Sequence, residues 1–187
     1  MALLTRTRSI AAGAAVAAAI ASSVPAAARQ RPGTVEGDIK AAFLFNFTKF
    51  VDWPAAAPAG PFQICTLADG GFDALLTRTL SGESTGGRPI QRATPDSPDI
   101  ARTCHILFIS RRADGNAERW IAAVRGQPVL VVGESKTAED AGAHITFVVE
   151  DNRVKFDVND EAASRAGLTI SSKLLRVARH VVTRDRQ

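Results

Sequence analysis

The stretch Ile39 to Pro54, IKAAFLFNFTKFVDWP, carries four of the nine phenylalanines and one of the two tryptophans, so it must bury a heavy apolar face. At about 100° per residue, Ile39, Phe43, Leu44, Phe47, Phe50 and Val51 fall on one arc, with Asn46, Thr48, Lys49 and Asp52 opposite. This is the pattern of an amphipathic helix. Pro54 ends it, because proline cannot continue a helix and biases Trp53 towards extended backbone. Phe45 breaks the pattern by pointing into the polar arc. Together with Trp53 it is expected to offer an exposed apolar patch, the kind of surface that meets a partner.

The segments that follow alternate between strand and helix. FQICTL (62–67), Ile90 to Ala93, CHILFIS (104–110) and VLVVG (129–133) read as strands, the last two buried by their near-continuous apolar runs. Helices are expected over Phe72 to Leu80, Ala113 to Val124 and Thr137 to Ala141, and the glycine-rich SGESTGGR (81–88) reads as a loop. Ile145 to Glu150 and Val154 to Val158 flank Asp151-Asn152, a two-residue hairpin signal. Asp160 is placed to cap a short helix ending at Gly167. A last helix is expected from Ser171, with Leu174, Leu175, Val177, Ala178, Val181 and Val182 apolar. The fold class is therefore α/β: a mostly parallel sheet of about five or six strands flanked by helices, with a C-terminal antiparallel hairpin.

Met1 to Ala28 reads as an address. Arg6 and Arg8 precede an alanine-rich apolar run from Ile10 to Ala21, and small residues end it with Ala-x-Ala at Ala26 to Ala28. That is the layout of a cleavable secretory signal peptide. Residues 29–37 form a polar, Pro/Gly-containing lead-in, expected to be flexible, and 38–187 a single domain. The formal net charge is +4, and removal of Arg6 and Arg8 leaves it near +2. No Lys/Arg cluster is interleaved with aromatics, so nothing supports a nucleic-acid partner.

Several motifs occur together in one order: KAAFLFNFTKFVDWP, FQICTLADGGF, GRPI, CHILFIS, VLVVGES, AGAHITFVVEDNRVKFDVN and AGLTISSKLLRVA. In these the chain resembles the YfiR family of periplasmic proteins, whose members open their folded domain with a similar KAAFLYNFAKFVEWP. The likeness runs from about Asp38 to Val182. It implies a regulator in the periplasm that inhibits an inner-membrane diguanylate cyclase by engaging its periplasmic sensor domain. It also implies a homodimer, a possible outer-membrane lipoprotein partner, and relatives associated with sensor kinases.

The two cysteines, Cys65 and Cys104, lie in expected core strands of an exported chain. Adjacent parallel strands can bring such residues within the roughly 4.4–6.8 Å of Cα separation that a disulfide needs. The resemblance supports the pairing, since family members carry cysteines at both places. A structural staple, a redox-sensing bridge and two free thiols are the alternatives. Some relatives have a second pair near the hairpin, where this chain has Glu139 and Thr146.

No catalytic constellation is visible. His105, His144 and His180 show no zinc spacing, and His105 and Cys104, as strand neighbours, point to opposite faces. No cofactor motif is present: neither Gly70-Gly71 nor Gly86-Gly87 has phosphate-loop spacing. Asp157, Asn159, Asp160 and Glu161 read as solvated caps and turns. The first functional reading is a non-enzymatic regulator, with Phe45, Trp53, Leu174 and Leu175 as partner or dimer contacts. The second is a small-ligand protein serving a sensor kinase. Its site would lie at the carboxyl ends of the strands, among Asp69, Gly70, Gly71, Ser110, Arg111, Gly133, Glu134 and Ser135, with Gly70, Gly71 and Arg111 suited to an anion.

Overall fold

A computed structural model describes residues 35–183. The expected signal peptide and most of the lead-in lie outside the described residues.

The N-terminal helix α1 spans Val35–Phe50, with Glu36 and Asp38 in its first turn and Lys49 in its last, each suited to the helix dipole. It starts inside the expected lead-in and stops before Pro54. Its last expected turn is instead the short strand β1 (Val51–Asp52). β-branched Val51 and the extended preference of Trp53 before proline favour that outcome. The buried face of α1 is Lys40, Ala41, Leu44, Phe47 and Thr48, rotated from the expected arc. Ile39 is exposed, and Phe43, Phe45 and Phe50 are partly buried against the core. The rotation has a physical cause: α1 wedges between two elements, described below, and both of its flanks are covered.

Next come β2 (Phe62–Leu67) and α2 (Gly70–Thr79), then β3 (Ser84–Thr85) and β4 (Arg88–Ala93). The glycine-rich segment expected as loop contains β3, which pairs antiparallel with β4 across Gly86 (φ +55°) and Gly87 (φ +75°). Both positions need left-handed backbone, which glycine adopts freely. β5 (Ile106–Ile109) leads through a 3₁₀ turn into α3 (Ala117–Val124), followed by β6 (Leu130–Gly133) and α4 (Lys136–Asp140). At Gly133 a Cβ would stand 2.5 Å from the Ala138 Cβ, so α4 crosses the strand end closely only because that position has no side chain.

β7 (Ile145–Glu150) and β8 (Arg153–Asn159) form the antiparallel hairpin over Asp151-Asn152, both with positive φ. α5 (Asp160–Arg165) follows. Its cap is Asn159, whose side chain accepts from the Ala162 N–H at 2.9 Å, in place of the expected Asp160. β9 (Thr169–Ile170) pairs antiparallel with β1. The expected C-terminal helix is only α6 (Ser172–Leu175), and the chain then turns into β10 (Val181–Val182), parallel to β8. Paired apolar β-branched residues fit a sheet edge better than a helix face, and β8 presents an open edge.

The main sheet runs β10-β8-β7-β6-β5-β2-β4-β3, with β4, β2, β5, β6 and β7 parallel to one another. Its eight strands exceed the expected five or six mainly by the short edges β3 and β10. One face is covered by α1 and α2, the other by α3 and α4. The pleat sorts the core: Ile106 and Phe108 face α1, while Leu107 and Ile109 face α3. α1 packs on α2 at one flank and on β8 at the other.

Cys65 and Cys104 are disulfide-bonded, with a Cα separation of 5.8 Å and a sequence separation of 39 residues. The bridge joins β2 to the entry of β5 on the α3 side. Two buried histidines fix neighbouring backbone. His105 stacks on Phe62 with ring centroids 4.4 Å apart, and its Nδ1 accepts from the Gln63 N–H at 3.1 Å. His144 Nδ1 accepts from the Val131 N–H at 3.0 Å. Burial lowers both pKa values, that of His144 to about 4, with Arg165 adding to the effect.

Two outcomes are expected. Reduction, or Cys65→Ser with Cys104→Ser, should destabilise the fold by about 3–4 kcal/mol on the loop-entropy model, read by denaturant unfolding with and without reductant. The histidines set a pH dependence. The unfolded chain binds protons from about pH 6.5 downward, while folded His144 resists until about pH 4. Stability should therefore be full above about pH 6.5 and fall across that window, and His144→Asn should flatten the fall. An unchanged slope in that variant would remove His144 from the account.

Candidate switch-point cleft

The chain leaves β2 through α2 on one face of the sheet and leaves β5 through α3 on the other. Strands β2 and β5 are neighbours, so their carboxyl ends diverge and leave a crevice. The Ser110 hydroxyl donates to the Leu67 carbonyl at 2.8 Å and latches the two strand ends together. The first turns of α1 close the crevice from the side. The resulting cleft has a volume of about 620 Å³, within the roughly 300–1,000 Å³ of small-molecule sites.

Ala68, Phe72, Leu75 and Phe108 supply its apolar wall, with the Phe72 and Phe108 rings 4.9 Å apart. The polar rim carries charges of both signs. Lys40 Nζ pairs with Glu134 Oε1 at 2.8 Å and also with Glu36. The Lys40 and Glu134 side chains are only 8% and 10% exposed, so this is a largely buried ion pair. Glu134 Oε2 accepts from the Arg111 backbone N–H at 2.9 Å. Asp69 accepts from the Phe72 N–H at 3.0 Å and pairs with Arg112 at 3.2 Å. The Arg111 guanidinium reaches the Glu134 carbonyl at 3.4 Å and has no carboxylate within 4.0 Å among the described residues.

The structure brings Asp69, Gly71, Ser110, Arg111 and Glu134 to this cleft. Gly70 opens α2 beside them without lining it, and the Asp69 carboxylate caps that helix N-terminus. Gly133 packs under α4, and Ser135 caps α4 by accepting from the Ala138 N–H at 3.1 Å. Sequence reasoning missed Lys40. Its signal was its place four residues before Leu44 and four after Glu36, which puts a cation on the buried face.

The expected partner residues Phe45, Trp53, Leu174 and Leu175 all pack in or on the core cluster beneath α1. The Trp53 indole N–H donates to the His105 carbonyl at 3.1 Å, and its ring meets Phe62 edge-on at 4.9 Å. Leu174 is 4% exposed, and Leu175 packs on the same core. Phe45 is half-buried, with the Lys49 ammonium 3.9 Å from its ring centroid. Phe45 and Trp53 are thus half-buried against the core and not fully exposed as expected. Among the described residues, the exposed large apolar ones are Val35, Ile39, Ile100, Val149, Val177 and Val182. Among the described residues, no three His, Cys, Asp or Glu side chains cluster as a metal site, and no helix is long and apolar enough to cross a membrane.

The architecture is that of a mostly parallel α/β domain with a crevice where strand order reverses. A conserved domain protein from Vibrio cholerae O1 biovar El Tor has a similar fold, with a TM-score of 0.57 at 13% identity. The match covers 78% of this chain and 60% of that one, so the chain spans less than two thirds of that protein's length. A weaker likeness is to the ABC domain in complex with L-Trp from Streptococcus pneumonia, with a TM-score of 0.48 at 10% identity over 65% of this chain and 55% of that one.

The family model described as YfiR/HmsC-like matches residues 37–179, and the chain belongs to that family. The family is known for periplasmic regulatory proteins.

The buried pair yields a test. Lys40→Ala leaves Glu134 buried without its cation and should cost on the order of 3 kcal/mol in urea unfolding. Adding Glu134→Gln should recover part of that loss, whereas simply additive costs would contradict the coupling.

Proposed function

We propose that this protein is a periplasmic regulator that inhibits an inner-membrane diguanylate cyclase by binding the periplasmic sensor domain of that enzyme. Membership of the YfiR/HmsC-like family is the observation that carries the proposal. Export by cleavage of the Met1–Ala28 leader, a homodimeric state and withdrawal by an outer-membrane lipoprotein belong to the same proposal. In physical terms the regulator contributes a coupling free energy: it binds the inactive state of the cyclase better than the active one. Half-buried Phe45 is the contact we assign to a partner or a second copy. Its ring edge and the Lys49 cation above it offer mixed apolar and cationic chemistry.

A second reading is favoured by the cleft. A crevice of about 620 Å³ with an apolar wall and the Arg111 guanidinium at its rim suits a small-ligand accessory protein of a sensor kinase. Asp69 already caps the α2 N-terminus beside Gly70 and Gly71, so the Arg111 guanidinium would be the main donor to an anionic group there. A ligand in the cleft would also be able to tune an inhibitor, so the two readings are compatible.

Cellular cyclic di-GMP tests the first reading. It should rise on deletion of the gene and return on expression of the full chain, but not of a chain lacking Met1 to Ala28. No rise on deletion would move the assignment to the sensor-kinase reading. Phe45→Ala should weaken that repression with only a small loss of melting temperature. A loss of roughly 3–5 kcal/mol would make Phe45 a core residue and remove it as a contact.

A further inference from the structure

A second cavity, of about 360 Å³, lies away from the switch-point cleft, among the end of α3, the turn after α4 and the inner side of α5. Apolar side chains such as Ile121, Val124 and Ala162 form its floor. Its charged lining residues are Arg125 and Arg165, and no carboxylate lines it. His144, 7% exposed, completes the wall.

We propose that this cavity is a binding site for a small oxyanion, a phosphate group either free or on a small metabolite, held by His144, Arg125 and Arg165.

The donors and acceptors around the cavity define what it can hold. His144 Nδ1 is used as an acceptor by the Val131 N–H at 3.0 Å. A neutral imidazole then carries its proton on Nε2, and burial keeps this ring neutral at physiological pH. Nε2–H is therefore a donor, and it has no protein acceptor among the described residues. No polar side-chain atom sealed from solvent lacks a partner among the described residues, so Nε2 is not sealed, and His144 lines the cavity. The Arg125 side chain has no ion pair or hydrogen bond among the described residues. Arg165 pairs with Glu161 one helical turn back on α5, which occupies Nη1 and leaves its other nitrogens.

Every polar side chain lining the cavity is thus a donor, and two are cationic. A ligand that satisfies them must be rich in acceptors and negatively charged. The donors arrive from three separate elements, an arrangement that suits the tetrahedral oxygens of phosphate better than one planar carboxylate. The apolar floor and modest volume restrict the rest of the ligand to a few atoms. The inference does not depend on which membrane enzyme the protein regulates.

The test is calorimetric titration of the mature chain with inorganic phosphate, against chloride at constant ionic strength, with glycerol phosphate as a second probe. Wild type should bind one equivalent, and Arg125→Ser and Arg165→Ser should each weaken binding roughly tenfold or more. Both arginine side chains are substantially exposed, so the unfolding midpoint in chloride should stay near that of wild type. Tighter binding of the ester would identify a phosphorylated metabolite, and equal binding the free ion. The ¹⁵N resonance of His144 Nε2 in the wild-type chain should shift on phosphate addition, a readout independent of any variant. No heat and no shift, or variants that bind as tightly as wild type, would overturn the proposal.

Discussion

The packing of two helix-borne phenylalanines against the C-terminal hairpin holds this fold together. Phe43 and Phe47 of α1 meet Phe156 of β8 edge-on, with centroids 5.3 and 5.5 Å apart, and meet Phe147 of β7 at 5.9 Å. Phe108 of β5 extends the cluster through Phe147 at 6.2 Å. Each such ring pair contributes about 0.5–1.5 kcal/mol beyond its buried area. The cluster joins the start of the described chain to its end across the middle of the sheet. Other placements follow from it. The Phe50 carbonyl accepts from the Ser171 N–H at 2.9 Å, and the Thr48 carbonyl accepts from the Thr85 hydroxyl at 2.9 Å. The same docking carries Lys40 into the switch-point cleft.

What was legible in the sequence was what local chemistry decides. β2, β5 and β6 announced themselves as apolar runs, and Asp151-Asn152 marked a hairpin because both residues tolerate positive φ. What was not legible depended on distant partners. Val181 and Val182 read as a helix face because their apolarity matches a helical period; the open edge of β8 that recruits them is invisible in sequence. β3 was hidden because two residues beside a glycine pair carry no periodicity. Trp53 read as exposed because the His105 carbonyl and Phe62 ring that hold it come from later strands.

The site was legible in part for the same reason. The tendency of ligands to bind beyond the carboxyl ends of parallel strands pointed to Asp69, Gly71, Ser110, Arg111 and Glu134, since those residues directly follow readable strands or open a readable helix. Lys40 comes from a helix that only tertiary packing brings near. Its pairing with Glu134 makes α1 part of the cleft wall.

The regulatory role we propose for this α/β domain is to hold a membrane enzyme inactive from the periplasm. The most direct measurement is synthesis of cyclic di-GMP from GTP by full-length diguanylate cyclases of the same cell that carry periplasmic domains, purified in detergent and titrated with the mature protein. The account predicts that one of them binds the protein and loses activity as its periplasmic domain saturates. Unchanged turnover in every such cyclase, with the protein folded and its disulfide formed, would contradict it.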